Sequence, residues 1–112
     1  MPQIIGRATK TSANAYASVF TNKPRTDAKD GTNVVFHCKE NNVNAVTLKF
    51  LGSNDGTNFE TLEDEDGTTE FAVSKNGSEY HTVTDAWLYL DVQVKSTVAE
   101  THGSITIVVT QG

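Results

Sequence analysis

Three histidines are the side chains of this sequence best suited to act as general bases or metal ligands. They are His37, His81 and His102, and they lie far apart along the chain. None forms a metal-binding spacing such as His-x-x-x-His, and the sequence has no cysteine pair to complete a zinc site. His37 and His81 fall at outward or mixed positions of predicted strands, so we expect both at the surface. The histidines therefore predict neither a metal site nor an enzyme.

Cys38 is the single cysteine and cannot form a disulfide within the chain. Alternation along residues 34–38 places it on the same strand face as Val34 and Phe36. A thiol nucleophile needs a neighbouring base, and nothing in the sequence places a histidine beside this one. We therefore expect Cys38 to be a small buried apolar side chain. A hydrolase would need a titratable cluster that the sequence does not assemble.

Four consecutive acidic side chains, Glu63, Asp64, Glu65 and Asp66, could offer oxygen ligands to calcium. An EF-hand loop spaces its acids at alternate positions, whereas four adjacent side chains cannot all turn toward one ion. The run therefore predicts a solvated acidic loop, or one that contacts a basic partner. No metal ion and no cofactor is expected.

Trp87 and Tyr89 are candidates for a sugar-binding surface, because aromatic rings at loop tips of β-sandwiches can stack on sugars. Trp87, however, begins the most hydrophobic strand of the sequence, which favours a place in the core. Nucleic-acid binding is not expected, because the sequence pI is about 5.0 and no basic stripe alternates with aromatic residues.

The composition indicates the elements that must carry these side chains. The chain has 112 residues and 14 acidic against 9 basic side chains, and 32 of its residues are Thr, Val or Ile. These β-branched residues lose side-chain freedom in helices and fit the pleated surface of a sheet. No apolar stretch is long enough to cross a membrane as a helix. The composition predicts one all-β domain with a modest core.

Alternation of apolar and polar residues predicts short strands separated by turns. The clearest strand alternates Leu88, Leu90, Val92 and Val94 with polar residues. Turn signals recur about every ten residues, which is typical of a sandwich or a small barrel. We predict a single antiparallel β-sandwich, jelly-roll-like, with about seven or eight strands and an extended N-terminal arm. The predicted strands are 34–39, 46–50, 58–62, 71–73, 80–84, 88–95 and 105–110.

The N-terminal third differs from the rest. Residues 1–12 are too polar to form a core and are predicted to be an arm that is ordered only when another surface holds it. Residues 13–20 are a candidate opening strand, so the sandwich domain is assigned to 13–112. The first residues show no secretion signal, which favours synthesis in the cytoplasm.

The charge is divided unevenly along the chain. Residues 1–50 carry a net charge of +4 and residues 51–112 a net charge of −9. Such a division favours electrostatic contacts between copies or with a neighbouring protein. The alternative is that both regions are merely solvated.

Two segments resemble known structural proteins. Residues 52–59, Gly-Ser-Asn-Asp-Gly-Thr-Asn-Phe, followed by Leu62, resemble a hairpin of discoidin-like and phage virion β-sandwiches. Residues 87–95 and 103–107 resemble the paired last strands of small tailed-phage structural proteins. The resemblance spans about residues 44–112 and implies a phage virion component of the head decoration, or cement, type. Discoidin-type binders are longer and begin with loops that this chain lacks.

The expected function is therefore non-enzymatic binding to the major capsid protein on the capsid exterior of a virion. Several copies, expected to be homotrimers, would stabilise the capsid lattice by avidity. Arg7 and Lys10 of the arm would contact an acidic capsid surface or the Glu63–Asp66 loop of a neighbouring copy. No nucleic acid and no membrane is expected as a partner. The alternative is a tail or baseplate adhesin domain that binds host glycans through Trp87 or Tyr89.

Overall fold

A computed structural model describes residues 3–11, 15–26, 34–41, 45–63, 68–74, 76–83, 88–96 and 104–111 of the chain. These residues form nine strands and no helix. The strands are β1 (Gln3–Thr11), β2 (Ala17–Ser18), β3 (Val34–Glu40), β4 (Val46–Ser53), β5 (Glu60–Thr61), β6 (Phe71–Val73), β7 (Ser78–Val83), β8 (Tyr89–Ser96) and β9 (Ser104–Gln111).

Two antiparallel sheets pack face to face. The front sheet has the strand order β1-β9-β3-β7, and the back sheet has the order β2-β8-β4-β5, with β6 also paired to β4. The pairs are nested, since β1 pairs with β9, β2 with β8, β3 with β7, and β4 with β5 and β6. This is the pattern of a long hairpin rolled into two sheets, which is a jelly roll. The predicted all-β antiparallel sandwich is confirmed.

β5 and β6 occupy one strand position. β8 pairs with β4 along its full length, so β5 and β6 must share the other edge of β4. The chain leaves that edge after Leu62, whose backbone N–H donates to the Phe50 carbonyl at 2.8 Å, and it returns at Phe71. The acidic run begins where the chain leaves this edge. A strand at the edge would have to bury every second side chain, and a run of consecutive carboxylates cannot do so. Only residues 60–61 of the predicted strand 58–62 are in strand geometry.

The core lies between the sheets and follows the predicted alternation. Along β3 and β9 every second side chain is buried, and the same holds for the first half of β4. Phe50, at 2% exposure, stacks on Phe36 with 4.6 Å between ring centroids and tilts against Phe71 at 5.2 Å. Three aromatic rings from both sheets therefore meet at the centre of the sandwich.

The N-terminal residues add a strand to the front sheet. Residues 3–11 of the predicted arm are extended, as expected, but they lie along β9 as β1 and form the edge of the sheet. β9 provides the surface that holds this segment, which is too polar to be ordered alone. Of the predicted opening strand 13–20, only Ala17 and Ser18 pair with β8. The division of the chain at residue 12, which lies outside the described residues, stays a prediction.

Candidate functional site

The outer surface of the front sheet, called the front face below, is the broadest regular surface of the described residues. Strand pairing places its side chains in rows that cross the sheet. The central row consists of Arg7, Val108, His37 and Tyr80. The flanking rows consist of Ile4, Thr110, Val35 and Thr82 on one side, and of Thr9, Thr106, Lys39 and Ser78 on the other. The face is therefore rich in threonine and small apolar side chains.

Two exposed apolar side chains mark the ends of this face. Tyr80 on β7 is 68% exposed and Ile4 on β1 is 60% exposed, and they are the large hydrophobic residues most exposed among those described. The Tyr80 ring stacks on His37 with 4.3 Å between centroids and 4° between planes. His37 Nε2 and the Ser78 hydroxyl share a hydrogen bond of 2.8 Å. The hydrogen bond to Ser78 orients the His37 ring, and stacking on that ring orients Tyr80. The other face of the Tyr80 ring is exposed to solvent.

The charge of the front face is positive. Its charged side chains are Arg7 and Lys39, and no carboxylate among the described residues lies on it. Lys39 Nζ donates to the backbone carbonyl of Asn76 at 2.9 Å and to its side-chain oxygen at 2.7 Å. Neutral amide oxygens position this ammonium group without cancelling its charge. The face thus suits an acidic protein surface.

The structure separates the site residues predicted from the sequence. Arg7 is exposed on the front face, whereas Lys10 is half-buried on the opposite side of β1, opposite Ile105. An odd spacing along a strand always has this effect, because successive side chains alternate between faces. Glu63 is exposed beyond β5, at the edge of the back sheet. Asp64, Glu65 and Asp66 lie outside the described residues.

The back sheet has a basic outer surface whose cations are already engaged. Lys49 and Lys95 place their ammonium groups 4.3 and 4.9 Å from the centroid of the Tyr16 ring. The Tyr16 hydroxyl donates to Glu70 Oε1 at 2.7 Å. Partial burial and this hydrogen bond raise the pKa of Tyr16, and the same hydrogen bond, with the nearby lysines, lowers the pKa of Glu70. This surface therefore offers a partner fewer unpaired charges than the front face.

His81 differs from its predicted surface position. It lies opposite Phe36 on the inward side of β7, and its ring centroid is 4.4 Å from that of Phe71 and 5.2 Å from that of Phe50. Its Nε2 atom is 3.1 Å from a carboxylate oxygen of Glu79. β7 is an edge strand, so an inward side chain on it lies at the open side of the sandwich. There the His81 imidazole covers the aromatic core, and its polar atoms remain near solvent.

Cys38 is fully buried and faces the core, as its position in the alternation predicted. Burial raises the pKa of its thiol to about 12, and the charge of Glu79 adds to this effect. At neutral pH the group is therefore a protonated thiol without nucleophilic character.

The Cys38 thiol is expected to react with a disulfide reagent at least about 100-fold more slowly in the folded chain than in urea, because reaction requires opening of the core. Reaction with DTNB at pH 8, with and without denaturant, measures this ratio. Equal rates would place the thiol at the surface.

The proposed sugar-binding aromatics do not form an open platform among the described residues. Tyr89 is half-buried, and its ring lies beneath the Arg25 guanidinium, 5.6 Å from the centroid. The backbone of Arg25 also bridges to Tyr89. Gly56, at φ +78°, leaves room for the ring, since a side chain at this position would meet it. Trp87 lies outside the described residues, so its predicted core position stays a prediction.

The segment that resembles phage and discoidin-like hairpins forms a tight polar loop. One carboxylate oxygen of Asp55 accepts hydrogen bonds from the backbone N–H groups of Thr57 and Asn58, both at 2.8 Å, and from the Ser53 hydroxyl at 2.8 Å. These donors lower the pKa of Asp55 well below its usual range. The carboxylate thus closes the turn, which accounts for the Ser-Asn-Asp-Gly-Thr-Asn sequence without a ligand.

No group of three or more His, Cys, Asp or Glu side chains within the described ranges is placed to hold a metal ion. None of the described segments forms a helix that is long and apolar enough to cross a membrane.

The front face could not be identified from the sequence. In the sequence, only threonines at outward strand positions point to this face. The rows themselves cannot be inferred from the sequence, because their alignment depends on the strand order.

The fold and the front face define a small jelly-roll β-sandwich with one regular, positively charged sheet surface. Solved structures share this fold. PirA is 10% identical, with a TM-score of 0.58 over 90% of this chain and 90% of that chain. A protein of Bacillus endospore appendages, described as disulfide-linked pili, is 17% identical, with a TM-score of 0.53 over 98% of this chain and 85% of that chain. No protein-family model and no curated protein matches the sequence.

Proposed function

We propose that this chain is a non-enzymatic structural protein of a bacteriophage virion that decorates the outside of the head. It is made in the host cytoplasm and binds the major capsid protein through its front face. The observation that carries this proposal is the front face, a regular sheet surface with Arg7 and Lys39 as its charged side chains, and with Ile4 and Tyr80 exposed at its two edges.

The size of the front face explains why decoration requires several copies. Four strands about 4.8 Å apart and roughly eight residues long give a surface of about 500 Å². A stable protein interface buries about 800 Å² on each partner. One copy therefore binds weakly, whereas a trimer with three such faces binds by avidity to a repeating lattice. A rigid sandwich suits this role, because a preformed surface loses little conformational entropy on binding.

The sequence and the fold add support. Residues 52–59 and 87–95 resemble segments of phage virion proteins, and jelly rolls are common in viral capsid proteins. The endospore appendage protein belongs to a pilus, which is an assembly of repeated subunits, and repeated assembly is the only feature we carry over from it. Its disulfide linkage is not expected here, because Cys38 is the only cysteine and is buried.

A substitution at the centre of the front face tests this function. Val108→Glu places a negative charge between Arg7 and His37, and it is expected to weaken binding to heads at least about tenfold, because the acidic partner surface is repelled. The matched control is Gln93→Glu, at a half-buried outward position of the back sheet, which is expected to leave binding unchanged.

Binding is measured by co-sedimentation with empty heads assembled from the major capsid protein of the phage that encodes this chain. The melting temperature of each variant shows whether it remains folded. Equal binding by both variants would show that the front face is not the docking surface. A wild-type chain that does not sediment with the heads would overturn the decoration function.

A glycan-binding adhesin of the tail or baseplate is the second candidate, and Tyr80 is the observation that favours it. Its ring is exposed and stands beside Ser78 and His37, a combination of aromatic and polar groups that suits a sugar. An adhesin would bind on a glycan array, and Tyr80→Ala would abolish that binding. Under the decoration function no glycan binds the chain.

A further inference from the structure

The front sheet ends in two strands whose outer edges are free in the described structure. β1 pairs only with β9, and β7 pairs only with β3. A free edge offers unpaired backbone donors and acceptors to another strand. The exposed apolar side chains lie on these two strands, Ile4 on β1 and Tyr80 on β7. A neighbouring strand at either edge would cover them.

The directions of the two edge strands allow one copy to continue the sheet of another. β1 is antiparallel to β9, β9 to β3, and β3 to β7. β1 and β7 therefore run in opposite directions. When a second copy is placed beside the first in the same orientation, its β1 lies antiparallel to β7 of the first copy. The hydrogen-bonding pattern of the front sheet then continues across the boundary between copies.

We propose that copies of this chain associate head to tail, with β1 of one copy paired to β7 of the next. The rows of the front face set the register. Tyr80 of one copy lies opposite Arg7 of the second copy, so the aromatic ring gains a cationic neighbour on its open side. In the same register Ser78 lies opposite Thr9 of the second copy.

Charge on the inward side of the two strands favours the same register. Glu79 points inward from β7, and Lys10 points inward from β1. Glu79 of one copy then lies opposite Ala8 of the next copy and diagonal to its Lys10. Diagonal neighbours in a sheet are about 7–8 Å apart, within reach of long side chains of opposite charge. The contact therefore brings Lys10 of one copy near Glu79 of the other, whose carboxylate also contacts His81 of its own strand.

Other pairings of edges are less favourable. Two β1 strands would bring Arg7 and Lys10 of both copies together, and like charges across strands are destabilising. On the back sheet, β2 and β5 have two residues each and β6 has three, so these edges offer little backbone to pair. A bulge between Ile4 and Gly6 limits regular pairing along β1 to Gly6–Thr11. The bulge therefore restricts pairing between copies to a short stretch of β1.

A contact between two different edges is heterologous, so its repetition closes into a ring or continues as a filament. Either form joins the front faces of successive copies into one surface. Three copies would present roughly 1,500 Å², which exceeds the area of an ordinary interface side. The inference deepens the proposed function by naming how the copies associate, but it concerns the chain alone in solution. If this contact fails, the Val108→Glu variant still tests whether the front face binds heads. If Val108→Glu has no effect on that binding, association of the chain alone still tests this contact.

Disulfide trapping tests the register. Thr9→Cys with Ser78→Cys places two thiols opposite each other between copies, whereas within one copy they are separated by β9 and β3, about 14 Å, too far for a disulfide. Oxidation is expected to give a ladder of covalent oligomers, or a single covalent ring, on a non-reducing gel. The matched control, Thr9→Cys with Thr61→Cys, carries its second thiol on the exposed edge of the back sheet and is expected to give dimers at most.

Sedimentation of the chain without engineered thiols gives an independent measurement. The wild type is expected to associate with increasing concentration, and Lys10→Glu is expected to weaken association about tenfold or more, because it places a carboxylate diagonal to Glu79 of the neighbour. Lys10→Glu combined with Glu79→Lys is expected to restore association, since the pair is reversed. A wild type that stays monomeric at all concentrations, or equal ladders from both cysteine pairs, would overturn the proposal.

Discussion

Replacing Phe50 with alanine is expected to lower the free energy of unfolding by about 3–5 kcal/mol. The side chain is 2% exposed and contacts rings from both sheets, with centroid distances of 4.6 Å to Phe36 and 5.2 Å to both Phe71 and His81. Removing it leaves a cavity that these neighbours cannot fill, because each is fixed in its own strand. The loss is a large part of the 5–15 kcal/mol that typically stabilises a domain.

Urea denaturation of the purified chain measures this effect through the shift in the transition midpoint at constant slope. Phe50→Leu keeps most of the buried area and is expected to cost less than half as much. Phe59→Ala is the matched control, because Phe59 is a half-buried aromatic residue in the loop before β5. If Phe50→Ala is no more destabilising than Phe59→Ala, the stacked aromatic rings are not the centre of the core.

Most of the sandwich could be predicted from the sequence, because its central strands alternate with a period of two. The predicted ends of β3, β4, β8 and β9 differ from the observed ends by three residues at most, and the inward side chains of these strands are buried as expected. Alternation is informative in these strands because each has one face on the core and one face outward. The buried position of Cys38 was correct for the same reason.

The arrangement of the strands could not be predicted in the same way. Alternation assigns a residue to a face but does not say which strands are neighbours, so neither the front face nor the position of β1 beside β9 was foreseen. The surface position predicted for His81 is wrong because strand alternation alone does not indicate an imidazole ring at the open side of the core. The prediction that Arg7 and Lys10 contact one acidic surface also ignores their spacing, since three residues place them on opposite faces of β1.

Asp91 shows most clearly what strand patterns leave out. It lies in the outward row of β8, as predicted, yet it is only 4% exposed. The chain from β2 to residue 26 follows the edge of β8 through backbone hydrogen bonds, and polar side chains of that segment contact the carboxylate. Three donors reach its carboxylate. The Ser18 hydroxyl donates at 2.6 Å, the backbone N–H of Val92 donates at 2.8 Å, and Lys23 Nζ is 3.1 Å away. A buried outward carboxylate thus fastens an irregular segment to the sheet.

Lys23→Met is expected to lower the free energy of unfolding by about 2–4 kcal/mol, because it removes the cation and leaves the Asp91 carboxylate buried without one. The flexible methionine side chain fills a similar volume, so the loss reports charge rather than packing. Lys23 Nζ also donates to the Phe20 carbonyl at 2.5 Å, and this contact is lost as well. Urea denaturation at pH 7 gives the value.

The double variant Lys23→Met with Asp91→Asn separates the two contributions. The amide keeps acceptors and donors near Ser18 and carries no charge, so the double variant is expected to be more stable than Lys23→Met alone, with a coupling energy of about 1–3 kcal/mol. Lys95→Met is the matched control, since Lys95 lies outward on the same strand and places its ammonium group over the Tyr16 ring, away from any buried carboxylate in the described part of the chain. A loss for Lys23→Met no greater than for this control would mean that water, and not Lys23, compensates the carboxylate. The segment before residue 26 would then be held by its backbone hydrogen bonds to β8 and by its apolar contacts.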